Sequence, residues 1–199
     1  MKSHLGKKLY SLKESFMHLL KAFVSVNYLR KAKKKKIIDE ELQERIMLSV
    51  TSVNGCAMCS YAHTKMALDA GLNDQEIRDL LDNKDKENIP DDQLSAIMFA
   101  TYYADCRSRI DINIWDKIVE EYGYDKALGI LGAIRIISVG NIYGIAFGSF
   151  ISRFKKDKSK RDERTTLFYE LMILITLIPF TLIALLLSYV LRLFKIKLI

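Results

Sequence analysis

Three consecutive helices are predicted in residues 44–77, ERIMLSVTSVNGCAMCSYAHTKMALDAGLNDQEI, and this part of the sequence is the basis of the fold prediction. Apolar residues recur every three or four positions up to Val53, which indicates an amphipathic helix that starts near residue 39. Asn54 and Gly55 interrupt the pattern and provide cap residues. The second helix therefore begins at the cysteines and closes at Gly71, and a capping-box pattern opens the third.

The remainder of the chain has the same helical periodicity. A basic amphipathic helix precedes this stretch, with apolar residues between positions 5 and 24, and the run KAKKKK at 31–36 ends it. Three further helical patterns follow the polar loop that ends at Pro90: residues 92–108, 112–123 and 125–154. The last contains small residues that would let another helix approach closely: Gly129, Gly132, Gly140, Gly144 and Gly148. Since no convincing strand is found, the predicted fold class is all-α.

Residues 171–191, LMILITLIPFTLIALLLSYVL, contain no charged side chain. At about 1.5 Å per residue such a helix is about 32 Å long, which matches a hydrocarbon core of about 30 Å. We therefore predict one C-terminal transmembrane helix, which Pro179 would kink without preventing the span. The apolar helix before it is a weaker second candidate, because Arg135 and Asn141 interrupt it.

Charge is divided unevenly along the chain. Residues 1–38 carry 11 basic and 1 acidic side chains, residues 39–152 carry 10 and 19, and residues 153–199 carry 10 and 4. A nucleic-acid-binding domain would be basic, so we expect no nucleic-acid partner and expect acidic membrane lipid instead. The alternative for the runs KAKKKK and RFKKDKSKRDER (153–164) is that they are solvated linkers.

The same charges indicate where the protein lies. Charges are scattered through the first 16 residues, so we expect no signal peptide. The positive-inside rule places the basic flank at 153–164, and the helical domain with it, on the cytoplasmic side of the cell membrane. The basic C-terminal tail, RLFKIKLI, weakens this asymmetry.

These patterns divide the chain into four predicted segments: a basic amphipathic N-terminal helix (1–38), a helical domain (39–152), a basic linker (153–166) and a single-pass membrane anchor (167–194).

Two of the three cysteines have Cys-x-x-Cys spacing, which in a reducing compartment indicates metal or redox chemistry. Cys56, Cys59 and His63 would lie on one face of a helix. A thiolate at a helix N-terminus is stabilised there, and a nearby histidine can accept its proton. The other cysteine can then close a disulfide, while Glu44 on the neighbouring helix is suited to move protons.

Glu44, Cys56, Cys59 and His63 follow the pattern Glu-x11-Cys-x2-Cys-x3-His, and the phrase HTKMALDAGLNDQEI continues it. Over roughly residues 39–152 the sequence resembles the alkylhydroperoxidase AhpD-like proteins of the carboxymuconolactone decarboxylase superfamily. The resemblance implies that Cys59 is the attacking, peroxidatic thiol, Cys56 the resolving thiol, His63 its proton partner and Glu44 part of the relay. It also implies a homo-oligomer. Met58 stands where some members have a second histidine.

Superfamily members that act on lactones generally lack the cysteine pair, so its presence favours redox chemistry. We therefore predict a membrane-tethered peroxiredoxin-type enzyme that reduces a hydroperoxide or a protein disulfide with electrons from an unidentified thiol reductant. No metal or organic cofactor is expected.

Two alternatives have different chemistry. The first is a zinc site, for which Cys56, Cys59 and His63 would need a fourth ligand, Cys106 or Glu44. The second is a redox-sensing interaction module without turnover. Haem attachment is excluded by spacing, because Ser60 stands where the histidine is required. Cys106 is assigned no role, and His4 and His18 are expected on the surface or on the amphipathic face of the first helix.

Overall fold

The computed structural model describes residues 9–83, 88–155, 161–194, 196 and 198, which form helices joined by turns and include no strand. The helices in this part of the chain are α1 (Leu12–Lys34), α2 (Glu40–Asn54), α3 (Ala57–Ala70), α4 (Asp74–Asp82), α5 (Asp91–Asp105), α6 (Ile112–Tyr122), α7 (Tyr124–Arg153) and α8 (Leu167–Leu193). The predicted all-α fold class is confirmed. His4 lies outside the described residues.

Helix α7 is the central element of the fold. It is 30 residues long, about 45 Å, and it packs against α1, α2, α3, α5, α6 and α8. Glycines bring α1 close to it, because a Cβ atom on Gly132 would lie 3.0 Å from the carbonyl oxygen of Ser25. A Cβ atom on Gly129 would lie 2.6 Å from side-chain atoms of Ala32 and Ile38. The expected close helix approach is therefore found along the first half of α7.

The core has two parts. The larger part lies between α2–α7 and the second half of α1, and it contains both cysteines of the Cys-x-x-Cys pair. The smaller part forms where α8 meets α1 and α7, and its buried residues are Tyr10, Leu19, Leu20, Ile142, Tyr143, Ala146, Ile173 and Ala184. Helix α8 is therefore part of the core of the protein.

Polar contacts attach both ends of α8 to the domain. At its start, Glu170 is fully buried and accepts hydrogen bonds from Arg153 at 2.6 and 2.8 Å. Near its end, Arg192 donates to the carbonyl oxygen of Phe23 at 2.8 Å. Between them, the rings of Phe16 and Phe180 meet edge to face at 5.3 Å. The helix continues through Pro179 and lies lengthwise along α1.

The outer side of α8 is apolar and exposed, with large side chains such as Ile175, Ile178, Leu182, Leu186 and Leu193. By length and composition two described helices are apolar enough to cross a membrane. In α7, 78% of the most apolar 18-residue stretch is buried inside the protein, whereas only 17% of the corresponding stretch of α8 is buried. Of these two helices, α8 is therefore the one with an exposed apolar surface, and it is the helix that the sequence predicts as an anchor.

The basic run at the end of α1 contacts acidic residues of the domain. Lys31 and Lys35 both pair with Asp125, at 3.3 and 2.5 Å, and Lys33 lies 3.7 Å from Glu40. Solvent and salt screen such exposed pairs, so they contribute little to stability. They nevertheless give three lysines of the run partners within the protein.

His18 was expected on the surface or the amphipathic face of the first helix, and it lies on the buried side of α1 with 3% of its surface exposed. Its ring meets Tyr10 edge to face at 4.9 Å, and neither ring nitrogen has a hydrogen-bond partner among the described residues. Burial, reinforced by the positive charge of Lys21, lowers the pKa of His18 from 6.5 to about 4.

Replacing His18 with Phe is expected to stabilise the protein more at pH 5 than at pH 7.5. The unfolded chain takes up a proton on this histidine below about pH 6.5, but the folded chain does not until about pH 4. The wild-type protein therefore loses stability as the pH falls through this window, by about 2 kcal/mol at pH 5. Chemical unfolding of both proteins at the two pH values measures the difference. An equal gain at both would show that His18 does not titrate in this way. The charged groups that act on His18 are Glu14, Lys21, Arg107 and Arg135.

Candidate active site

The turn between α2 and α3 sets the position of the first cysteine. Gly55 ends α2 in the left-handed conformation, with φ of 77°, which glycine adopts without steric cost. Cys56 follows in an extended conformation as the N-cap of α3, and its Sγ atom accepts a hydrogen bond from the backbone N–H of Cys59 at 3.2 Å. The sulfur of Cys56 therefore lies at the positive end of a helix, where a thiolate is stabilised.

Cys56 and Cys59 are joined by a disulfide, with their Cα atoms 5.2 Å apart. The two cysteine residues differ slightly in exposure, because Cys56 is fully buried whereas 7% of the surface of Cys59 is accessible. An external molecule would therefore meet Cys59 first. The site as described is the oxidised form of a dithiol pair.

Helix α7 runs beneath the two sulfur atoms. A Cβ atom placed on Gly144 would lie 2.7 Å from the Sγ atom of Cys59 and 2.8 Å from that of Cys56. One turn earlier, the carbonyl oxygen of Gly140 lies 3.4 Å from the Sγ atom of Cys59. The disulfide thus rests directly on the backbone of α7.

Glu44 and His63 form the polar part of the site. The Nδ1 atom of His63 lies 2.7 Å from Oε2 of Glu44, and the other oxygen of Glu44 accepts a hydrogen bond from Gln43 at 3.2 Å. The exposed fractions of the two side chains are 15% for His63 and 6% for Glu44. If the shared proton is on Nδ1, the Nε2 atom has a free lone pair that can accept a proton from a thiol.

The structure places the four predicted residues in two contacting pairs, Cys56 with Cys59 and Glu44 with His63. Glu44 comes from α2, Cys56 caps α3, and Cys59 and His63 lie one helical turn apart on α3. Cys106 remains apart as a free, partly buried thiol at the end of α5. Among the described residues no group of three or more His, Cys, Asp and Glu side chains is arranged to hold a metal ion.

The contact between α7 and the two cysteines was not predicted from the sequence. The glycines of α7 indicated that another helix approaches closely, and they were the feature of the sequence from which a close contact at Gly144 could have been predicted. They did not reveal that sulfur atoms, rather than another helix, fill the space beside Gly144. Gln43, which donates to Glu44, was also not identified.

Comparison with known protein families finds a match over one part of the chain. The model of the carboxymuconolactone decarboxylase family matches residues 18–85, which is 68 of the 199 residues. The match begins within α1, in a segment predicted to be separate from the domain, and the predicted domain boundaries stay a prediction. No curated protein and no solved structure matches the chain. The part of the chain that contains Glu44, Cys56, Cys59 and His63 is therefore similar to the carboxymuconolactone decarboxylase family of the AhpD-like superfamily.

Proposed function

We propose that the protein is a thiol-dependent oxidoreductase that reduces a hydroperoxide, with the reduction of a protein disulfide as the alternative reaction of the same site. The observation that carries this proposal is the Cys56–Cys59 disulfide, in which Cys59 is the more exposed residue, together with a hydrogen-bonded Glu44–His63 pair whose histidine lies one helical turn away on α3. The family match over residues 18–85 supports an enzyme of this superfamily but does not specify its substrate.

The proposed cycle begins with both cysteines reduced. The thiolate of Cys59 attacks the terminal oxygen of the hydroperoxide, which breaks the O–O bond, forms a sulfenic acid and releases an alcohol after protonation. The proton lost by the Cys59 thiol passes to His63, whose imidazole is oriented by Glu44. The substrate gains two electrons in this step, and Cys59 loses them.

Cys56 then completes the oxidised form. Its thiol attacks the sulfur of the sulfenic acid, so that the Cys56–Cys59 disulfide forms and water leaves. An external thiol reductant donates two electrons and restores both thiols. With a protein disulfide as substrate, Cys59 would instead form a mixed disulfide, which Cys56 would resolve to release the reduced partner.

We also propose that α8 holds the protein at the cell membrane with the site on the cytoplasmic side. Its exposed apolar side chains and the basic residues before it support this placement. Since α8 also packs against α1 and α7, insertion would have to keep these contacts or expose the smaller part of the core.

We propose further that the protein is a homo-oligomer. The exposed apolar residues Tyr61, Met66 and Leu68 of α3 support this proposal, and sedimentation in detergent would measure the oligomeric state.

The proposal is tested with the full-length protein reconstituted into phospholipid vesicles. Flotation of the vesicles shows whether the protein stays bound in high salt, as an inserted helix would. The same vesicles are given a water-soluble hydroperoxide, a phospholipid hydroperoxide or a protein disulfide, with a dithiol as reductant. Mass spectrometry follows the Cys56–Cys59 disulfide during turnover.

We expect consumption of at least one substrate well above that of a variant in which both Cys56 and Cys59 are replaced by Ser. Faster consumption of the phospholipid hydroperoxide would identify a substrate that the membrane delivers. The enzyme proposal fails if no substrate is consumed with any reductant. If zinc also copurifies at one ion per chain, the zinc-binding alternative replaces it.

A further inference from the structure

The disulfide occupies the space that a side chain at position 144 would need. Carbon and sulfur atoms that are not bonded to each other normally remain more than 3 Å apart, and a Cβ atom on Gly144 would lie within 2.8 Å of both sulfur atoms. The methyl group of Met58, at 3.6 Å, lies on the same side. The conflict would therefore be with the two bonded sulfur atoms and not with a flexible surface residue.

We propose that Gly144 is a positioning residue of the redox site, because its missing side chain leaves the room that the bonded sulfur atoms require. By this contact α7 sets the equilibrium between the disulfide and the two thiols. The inference deepens the proposed function and rests on it for its biological meaning. The equilibrium itself is a property of the cysteine pair, and it is measured without any substrate.

The two oxidation states should respond differently to a methyl group at this position. In the disulfide, the covalent bond holds both sulfur atoms in one place above α7. When two electrons and two protons convert it to two thiols, each side chain can rotate about its Cα–Cβ bond to another staggered conformation. The thiols can therefore move away from the added methyl group, whereas the disulfide cannot. The substitution Gly144→Ala should favour the dithiol.

Two other glycines of the same helix provide matched controls. In Gly140→Ala the new Cβ atom would meet the side chain of Ile137 at 3.7 Å, an ordinary contact, and the variant keeps the backbone carbonyl oxygen that lies near Cys59. In Gly129→Ala it would lie 2.6 Å from Ala32 and Ile38, so that the packing between helices is strained far from the sulfur atoms. The first variant controls for a glycine replaced in α7 near the site, and the second for a loss of stability that does not involve sulfur.

The experiment equilibrates each full-length variant in detergent with mixtures of reduced and oxidised dithiothreitol. Thiols are then alkylated, and the fraction of Cys56–Cys59 disulfide is measured by mass spectrometry. We expect Gly144→Ala to shift the equilibrium at least tenfold toward the dithiol, which corresponds to about 30 mV. Gly140→Ala should remain within twofold of the wild type. Gly129→Ala should melt at a lower temperature without a comparable redox shift.

A double-mutant cycle keeps the proposal testable if Gly144→Ala folds poorly. Its effect on melting temperature is compared in the wild type and in a background where both Cys56 and Cys59 are replaced by Ala. Removing the sulfur atoms should make Gly144→Ala much less destabilising.

The proposal is overturned if Gly144→Ala shifts the redox equilibrium no more than Gly140→Ala, or if removing the sulfur atoms does not reduce its cost. Neither result depends on hydroperoxide consumption. A shift in the equilibrium together with no turnover would instead leave the role of Gly144 intact and refute the proposed enzyme.

Discussion

Cys59→Ser is expected to reduce turnover by at least about 10³-fold, to the level of a variant that lacks both cysteines of the pair. A serine hydroxyl at this position is a much weaker nucleophile than a thiolate near neutral pH. Cys59 is also the member of the pair that keeps accessible surface, whereas Cys56 is fully buried. Without Cys59, neither a sulfenic acid nor a mixed disulfide can form at the position that a substrate reaches.

Cys56→Ser is expected to behave differently. Cys59 can still attack one equivalent of hydroperoxide, but no second thiol is available to close the disulfide. The variant should therefore show a burst of one equivalent per chain, followed by slow turnover that depends on the external thiol. A reagent specific for sulfenic acids should label Cys59 in this variant and should label nothing at the site in Cys59→Ser.

Cys106→Ser is the matched control, because it removes the remaining thiol, which is free and lies at the end of α5. Its turnover should equal that of the wild type, without the burst that is expected of Cys56→Ser. If Cys56→Ser were inactive while Cys59→Ser retained the burst and the sulfenic acid, the roles of the two cysteines would be reversed. That outcome would contradict the assignment that rests on their exposure.

Glu44→Gln is expected to reduce turnover by about 10²- to 10³-fold with little loss of stability. The amide has the shape of the carboxylate, and its oxygen can still accept a hydrogen bond from Nδ1 of His63. The variant therefore keeps the orientation of the imidazole but loses the negative charge that stabilises a proton on it. Because Glu44 is buried beside His63, solvent cannot replace this charge.

Steady-state rates and melting temperatures of Glu44→Gln are compared with those of Glu41→Gln. Glu41 lies one turn earlier on α2 and accepts a hydrogen bond from Arg45 at 3.2 Å, so it controls for the loss of one carboxylate from this helix. The alkylation rate of reduced Cys59 is a second readout, because it depends on how readily the thiol gives up its proton. Equal activities of the two variants would exclude Glu44 from the proton relay.

The arrangement of the candidate site residues was largely predictable from local sequence. The break at Asn54 and Gly55 indicated where α3 begins, and the three- and four-residue spacings placed Cys56, Cys59 and His63 within reach of one another. Glu44 followed from the motif, since a fixed number of residues joins it to the cysteines through a helix and a tight turn. The structure pairs it with His63 at 2.7 Å.

The surroundings of the site were not predictable in this way. Periodicity indicated that His18 lies in an amphipathic helix but not that it is buried against Tyr10. It likewise indicated that α8 is apolar enough for a membrane, but not that Glu170 is buried in a pair with Arg153. These contacts join residues that are distant along the chain or depend on how whole helices pack.

Local sequence was sufficient to predict the helical class, the capped start of α3 and the four candidate site residues, because these depend on residues within a few helical turns of one another. The tertiary structure was needed to find that Cys59 keeps more accessible surface than Cys56, that Gly144 lies beneath the disulfide and that α8 packs along α1. Periodicity defines the apolar face of a helix, but packing across the whole core selects which other helix that face contacts.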